Sequence, residues 1–191
     1  MNRFGWLMLT MFFTFGVFAF WSIEPRPAGL DAPPLPNPAL APIGAPLRIP
    51  VAGVAVARLV DSWKQSRANG ARTHQAIDIA APGGTAVLAA MPGRVEKLFE
   101  SRDGGKTLYV RSKGGGWITY YAHLSAYDPG LAEGQPVSTG QRLGFVGATG
   151  NAGAGNTHLH FALSRMAPGE RWYQGTPVNP YPYLAAKPVA R

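Results

Sequence analysis

The four histidines of this 191-residue chain lie in three short segments in which polar and apolar residues alternate. His74 precedes Asp78 by four residues, and His158 and His160 flank a single leucine. His123 follows a Tyr-Tyr-Ala sequence. This alternation is typical of half-buried strands, in which every second side chain points to the same face. Imidazoles and a carboxylate that converge at one end of a sheet form a divalent metal site, and the sequence therefore predicts one, with zinc the best fit.

Strand parity separates the side chains that face the metal from those that face the core. His158 and His160 point to one face, whereas the apolar residues that alternate with them point to the other. Between His74 and Asp78, Ala76 lies on the ligand side, where its small side chain leaves room for an ion. A lone histidine in a strand is more often a surface residue than a ligand, so the prediction depends on the four occurring together.

The histidine segments resemble motifs of the LytM-type, lysostaphin-like M23 metallopeptidases, which cut peptide bonds in peptidoglycan. The motifs are His-x-x-x-Asp at 74–78, Tyr-Ala-His-Leu-Ser at 121–125 and His-Leu-His-Phe at 158–161. The resemblance runs from about Val51 to Leu184, and its further fragments lie at 81–87, 93–95, 134–137, 140–144, 147–150 and 179–180. Each fragment is weak alone, but their order and spacing together are specific.

The resemblance implies a role for each residue of the motifs. Its metal ligands correspond to His74, Asp78 and His160, and its catalytic histidines that do not bind metal correspond to His123 and His158. Two imidazoles and one carboxylate leave the fourth tetrahedral position to water, as in a catalytic zinc site. The two other histidines then transfer protons and stabilise the oxyanion. A structural zinc, closed by a spare histidine as fourth ligand, remains the alternative.

Two positions depart from the resembled pattern, and one further residue is a candidate for the site. The family usually has glycine where this chain has Ala76, and commonly an acidic residue where it has Ala162. Neither change removes a ligand, although either could tune activity. By strand parity Tyr121 shares a face with His123, so we expect it either to donate a hydrogen bond in the site or to pack.

The sequence thus predicts a zinc endopeptidase that hydrolyses peptide cross-links or stems of peptidoglycan. The alternative is a non-hydrolytic wall-binding module that activates another hydrolase. The resemblance implies that such modules have lost metal ligands, whereas this chain keeps all five site positions. The expected partners are peptidoglycan peptides, the cytoplasmic membrane and cell-wall or division proteins.

The N-terminal residues 1–23 are predicted to form a membrane anchor. Phe4 to Ile23 are 20 consecutive uncharged, mostly apolar residues, enough at about 1.5 Å per residue to cross a bilayer core. Arg3 precedes this segment and Glu24 follows it, so the N-terminus is expected in the cytoplasm and the remainder in the periplasm or outside the cell. A cleaved signal peptide and a buried core helix are the alternatives.

Residues 24–50 are predicted to form a linker, because nine prolines in this segment exclude regular helix and sheet pairing. The linker is either a spacer that reaches the wall or a segment with no length requirement. Residues 51–185 form the predicted M23-like domain, and 186–191 a C-terminal tail.

The predicted domain is all-β, a short-stranded antiparallel sandwich or barrel-like sheet of the LytM type. Its expected strands cover 75–80, 85–90, 93–99, 106–112, 116–122, 136–138, 142–147 and 158–164. Glycine-rich turns separate these segments, and no long helical period follows the anchor.

Composition limits the partners and the ligands. The net charge of +8 suits nucleic acid, anionic lipid or an anionic wall polymer, and the predicted export anchor makes nucleic acid the least expected of these. The alternative is a charged surface that keeps the chain soluble and binds no partner. The chain has no cysteine, so its metal site must use nitrogen and oxygen ligands. The glycine-rich segment 147–155 lacks the lysine of a phosphate-binding loop, and we expect it to be a flexible loop that lines a groove.

Overall fold

The computed structural model describes residue 43 and residues 46–67 and 70–186. The predicted anchor lies outside these residues, as do most of the predicted linker and tail. Within the described ranges, no helix has the length and hydrophobicity of a membrane span.

The described part of the chain contains eleven strands, one short α-helix, α1 (Tyr181–Ala185), and two 3-10 helices of three residues each, Val56–Arg58 and Gly150–Ala152. The strands are β1 (Ser66–Arg67), β2 (Arg72–Thr73), β3 (Ile77–Ala80), β4 (Ala86–Leu88), β5 (Gly93–Ser101), β6 (Gly105–Ser112), β7 (Trp117–Tyr127), β8 (Pro136–Val137), β9 (Arg142–Val146), β10 (His158–Arg165) and β11 (Thr176–Val178). Every range predicted as a strand overlaps one of these elements. The prediction missed β1, β2 and β11.

Nine strands form one antiparallel sheet whose main order is β11-β10-β7-β6-β5-β8. The sheet branches, because β3 also pairs with β10, β9 with β7, and β4 with β9. Strands β1 and β2 form a separate two-stranded sheet. This antiparallel architecture confirms the all-β part of the predicted fold.

The core lies on one side of the central strands and follows the predicted alternation. On β10, Leu159, Phe161 and Leu163 are completely buried, and Ile77 and Ile79 of β3 pack with them. Burial of each such side chain stabilises the fold by roughly 1.5–3 kcal/mol. The strands that carry the candidate ligands are therefore held from behind by the core.

Packing begins a few residues before the predicted domain boundary. Leu47 is buried in the core cluster, and its backbone N–H donates to the Tyr183 carbonyl at 3.2 Å. The N–H of Arg48 donates to the Ala90 carbonyl at 2.9 Å. These bonds fix the segment just before Val51 against the folded body.

A β-bulge in β7 changes the direction of the side chains around His123. Between two register pairs, Leu108 with Tyr121 and Lys106 with Leu124, β7 has one residue more than β6. The backbone of His123 takes a φ of 62°, which non-glycine residues seldom adopt. Beyond the bulge the parity of β7 is reversed, so Tyr121 and His123 no longer share a face.

Candidate metal centre

Three strands bring the histidines of β10 and the aspartate of β3 to the same face of the sheet. His160 pairs with Asp78 on one side and with Ala122 of β7 on the other. His74 lies just before β3, where its N–H donates to the Gln65 carbonyl at 2.9 Å. These backbone bonds place the imidazole of His74 beside the strand pair.

The predicted ligands His74, Asp78 and His160 form a compact group of donor atoms. His74 Nε2 lies 3.1 Å from His160 Nδ1 and 3.2 Å from Asp78 Oδ1. His160 Nδ1 lies 3.1 Å from the same carboxylate oxygen. Ligand atoms at about 2.0–2.1 Å from one tetrahedral zinc ion lie about 3.3 Å apart. Two imidazoles and a carboxylate at these separations therefore fit zinc in both chemistry and spacing.

Neighbouring groups leave one atom of His74 and one of Asp78 free for a metal. His74 Nδ1 lies 2.9 Å from the Ser62 carbonyl, which can only accept, so Nδ1 carries the proton and Nε2 keeps its lone pair. Arg67 Nη2 donates to Asp78 Oδ2 at 2.5 Å, which leaves Oδ1 to face the histidines. Outer contacts of this kind orient metal ligands.

The charge on Asp78 is maintained despite its partial burial. Burial alone would raise the pKa of its carboxyl group, but hydrogen bonds and charge interactions with His160 and His74 hold that pKa well below its usual value. Burial lowers the pKa of His160, and Asp78 opposes that shift. An ionised carboxylate is the form of aspartate that a metal ion binds.

The other two histidines lie beside the predicted ligands. His158 Nε2 is 3.7 Å from Asp78 Oδ1, and the ring centroids of His123 and His158 are 4.9 Å apart. Burial lowers the pKa of His123, partly offset by its hydrogen bond with the Thr149 carbonyl. All four predicted histidines thus line one cleft of about 500 Å³ together with Asp78.

The glycine-rich loop and the turn between β5 and β6 also contribute to the lining of the cleft. Asn151, Ala152 and Asn156 line the cleft beside Asp103 and Gly104. The predicted position of the glycine-rich loop at the edge of a groove is therefore confirmed.

The prediction that Tyr121 shares a face with His123 was wrong, whereas its alternative role in packing was correct. Tyr121 is completely buried in the core, where its hydroxyl oxygen accepts from the Ala90 N–H at 2.9 Å. Its neighbour Tyr120 lines the cleft instead and packs edge-on against His160, with ring centroids 5.9 Å apart. The bulge at His123 is the reason that Tyr120 and not Tyr121 lines the cleft, because the extra residue reverses the alternation of side chains between Tyr121 and His123.

Sequence reasoning also missed Arg67. The structure joins this residue to Asp78. An arginine seven residues before a predicted ligand has no periodic relation to β3, so its position depends on the pairing of the short strands β1 and β2. Only its positive charge near a predicted carboxylate ligand offered a signal.

A family model described as "Peptidase family M23" matches residues 72–180, which is more than half of the chain. The chain therefore belongs to this family. The match contains all five of the predicted site residues.

Curated relatives include both hydrolases and an activator. The L-Ala–D-Glu endopeptidase of Bacillus subtilis is 32% identical over 131 residues, 65% of this chain and 39% of that protein. The DD-carboxypeptidase/endopeptidase Mpg of Neisseria meningitidis is 40% identical over 111 residues, 57% of this chain and 22% of that protein. The murein hydrolase activator NlpD of Escherichia coli is 31% identical over 111 residues, 58% of this chain and 26% of that protein. The chain spans at most 39% of the length of these relatives.

Solved structures resemble the described fold. One is a putative M23 peptidase from Pseudomonas aeruginosa, with a TM-score of 0.56 and 30% identity over 76% of this chain and 53% of that chain. Another is the catalytic domain of the antimicrobial peptidase lysostaphin from Staphylococcus simulans, with a TM-score of 0.54 and 25% identity over 67% of this chain and 92% of that chain.

Proposed function

We propose that this chain is a zinc-dependent endopeptidase that hydrolyses peptide bonds in the cross-links or stems of peptidoglycan. The observation that carries the proposal is the group of three donor atoms, all within 3.2 Å of one another, on His74, Asp78 and His160. The open cleft above them supports a catalytic rather than a structural site, because a substrate needs access to the metal.

In this proposal His74, Asp78 and His160 hold the zinc ion. Bound zinc would polarise the scissile carbonyl and lower the pKa of a water molecule. The sequence has no His-Glu-x-x-His helix to supply a glutamate base, so the proton transfers fall to other residues of the cleft.

His158 and His123 are the proposed proton-transfer groups. His158 donates its Nδ1–H to the Asn156 carbonyl at 2.9 Å, and His123 donates its Nδ1–H to the Thr149 carbonyl at 2.8 Å. Each neutral ring therefore keeps an unprotonated Nε2 that can accept a proton from water. Once protonated, the same nitrogen can donate to the oxyanion or to the leaving amine.

The second candidate is a cell-wall-binding module that activates another wall hydrolase. The likeness to NlpD favours it. The retention of three donor atoms at zinc-binding separations favours the enzyme.

The proposed test incubates the purified, zinc-loaded full chain with cell-wall sacculi and identifies released fragments by mass spectrometry. We expect release of muropeptide fragments that a chelator and the His160→Ala variant both abolish. The Glu133→Gln variant, altered at an exposed carboxylate, is the control and should retain release. Folded zinc-loaded protein that binds sacculi but releases nothing would instead support the activator.

We also propose that residues 1–23 anchor the chain in the cytoplasmic membrane and that 24–50 link this anchor to a peptidase domain outside the cytoplasm. The 20-residue uncharged segment Phe4 to Ile23 and Arg3 before it support this arrangement. A C-terminal fusion to a reporter that is active only outside the cytoplasm should be active. An expressed but silent fusion would contradict the proposal.

A further inference from the structure

A second cleft of about 470 Å³ adjoins the cleft of the candidate metal centre, which the four histidines and Asp78 line. The two clefts share Gln75, Tyr120 and His160 in their walls. A substrate group bound in the second cleft therefore lies next to a bond held at the metal centre.

An aromatic row forms one side of this second cleft. Tyr109 of β6 and Tyr120 of β7 are cross-strand neighbours, and their ring centroids lie 4.6 Å apart. The indole of Trp172 packs on Tyr109, with a centroid distance of 4.8 Å. At the other end Tyr120 contacts His160. The row thus leads from Trp172 to a proposed metal ligand.

Ala162 leaves space in the floor of the cleft. It pairs with Tyr120 across β10 and β7 and shares the face of β10 with His160. The methyl group of Ala162 occupies less of the cleft than a longer side chain at this position would. The small side chain of Ala162 thus contributes to the volume of this cleft.

The loop that carries Trp172 is held in place by an arginine. Arg111 donates from Nη2 to the Glu170 carbonyl at 2.9 Å and pairs with Glu96 through the same guanidinium group. Within the loop, the Arg171 N–H donates to Gln174 Oε1 at 2.7 Å. These bonds order the loop before any ligand arrives, which reduces the entropy lost on binding.

The chemistry of the lining favours an uncharged ring. None of the described residues that line the cleft is an acid, a lysine or an arginine. An ammonium group in this cleft would find no carboxylate partner, and its attraction to a ring face, about 0.5–2 kcal/mol, is smaller than the cost of removing a charge from water. Aromatic faces carry partial negative charge and attract the C–H groups of a saturated ring. Gln75 adds an amide group, and Gln174, whose Oε1 already accepts from the Arg171 N–H, adds an amide donor; both can bind hydroxyl and acetamido substituents.

We propose that this cleft binds an N-acetylated amino-sugar ring of the glycan strand. The proposal rests on the proposed function, and it deepens that function by naming a substrate feature. It means that the chain acts on peptide stems that are still attached to glycan, with the sugar on the Trp172 side of the metal centre.

The first experiment measures sugar binding without any hydrolysis. The full chain is titrated with β-1,4-linked di-N-acetylglucosamine, an uncharged probe, and binding is followed by saturation-transfer NMR. We expect transfer to the sugar protons, with a dissociation constant that rises about tenfold in Trp172→Ala and much less in Trp172→Phe, which keeps an aromatic face. Ala162→Glu should also weaken binding, while Ala162→Ser should retain it.

Circular dichroism of each variant verifies the fold before the titration. Absence of transfer in the folded wild type would overturn the proposal. So would equal binding by the wild type and a folded Trp172→Ala variant. A response to free diaminopimelic acid in place of the disaccharide would also overturn it, because a charged amine would then be the occupant.

The second experiment compares hydrolysis of a disaccharide-linked stem peptide with hydrolysis of the same peptide lacking the sugar. We expect the wild type to have the higher kcat/KM for the glycan-linked peptide, and Trp172→Ala to reduce this ratio by about tenfold. The same ratio of the two kcat/KM values in the wild type and in Trp172→Ala would contradict the sugar site. If neither peptide is cut although the disaccharide binds, the sugar site stands and the proposed hydrolysis fails.

Discussion

In three of the four imidazoles of the candidate site, the hydrogen bond of one ring nitrogen decides which nitrogen is left to face the cleft. In His74, His123 and His158, Nδ1 lies within 2.9 Å of a backbone carbonyl. Because a carbonyl only accepts, Nδ1 carries the proton in all three rings and Nε2 is left for metal or substrate. His74 is the proposed ligand among them, since its Nε2 lies 3.2 Å from Asp78 Oδ1. The corresponding atom of His158 lies at 3.7 Å.

This arrangement predicts that zinc binding and catalysis can be separated by substitution. His158→Ala and His123→Ala should each retain one zinc ion per chain and lower kcat by about 10²–10⁴-fold, the usual loss when a general acid or base is removed. Zinc content by plasma mass spectrometry and turnover on a muropeptide substrate test this. His160→Ala should instead lose the metal. Loss of zinc from folded His158→Ala would make His158 a fourth ligand and favour a structural site.

Arg67 has a separate role, because it touches the carboxylate oxygen that does not face the histidines. Its Nη2 lies 2.5 Å from Asp78 Oδ2. Arg67→Met should weaken zinc binding by about 10–100-fold, as losses of outer partners of metal ligands do. Competition with a chromophoric chelator measures the dissociation constant of zinc. Arg72→Met, which removes an exposed ion pair with Asp103, is the matched control and should change it little.

At the scale of elements, the turn before β6 supports the loop that positions His123. A Cβ atom added at Gly105 would lie 2.2 Å from Thr149 Oγ1 and 2.5 Å from the Gly150 nitrogen. Gly105 also has a φ of 62°, which disfavours any other residue. The Thr149 carbonyl accepts from His123. The turn therefore packs against the loop, and the loop in turn holds the ring of His123.

Gly105→Ala should therefore destabilise the fold by at least about 2 kcal/mol, from the positive φ and from overpacking. It should also lower kcat, because a displaced Thr149 carbonyl releases the ring of His123. Urea unfolding and turnover measure the two effects. The control is Gly114→Ala in the turn before β7, where an added Cβ meets nothing within 4 Å and φ is not positive. Equal stability of the two variants would contradict the packing argument.

The strands and the shared location of the predicted ligands could be predicted because alternation is a local property of the chain. In β3 and β10, every second residue enters the core, as with Ile77 and Leu159, so parity alone places Asp78 and His160 on the opposite face. In β7 the alternation rule predicted the wrong face for Tyr121, because the extra residue near His123 depends on the pairing of β7 with β6. The strands β1 and β2 have two residues each, too few to show the alternation of polar and apolar residues that predicts a strand. Trp172 joins the site only through the bonds that anchor its loop.

At the scale of the molecule, the proposed metal joins parts of the chain that are far apart in sequence. Asp78 and His160 are separated by 82 residues, and each sits on a strand that packs its other face into the same core. An ion that binds only this assembled group stabilises the folded state, because the unfolded chain does not hold the three donors together. The proposed zinc thus couples the stability of the sheet to the state of the active site.

Zinc should accordingly raise the thermal unfolding temperature of the full chain. At free zinc about 1,000 times the dissociation constant, the gain is about 4 kcal/mol, which corresponds to a rise of about 10 °C for a domain of this size. Differential scanning calorimetry of metal-free and zinc-loaded protein measures the shift. In His160→Ala the rise should be mostly lost, since the remaining two ligands bind zinc weakly. An equal rise in the wild type and this variant would show that zinc stabilises the chain at another site.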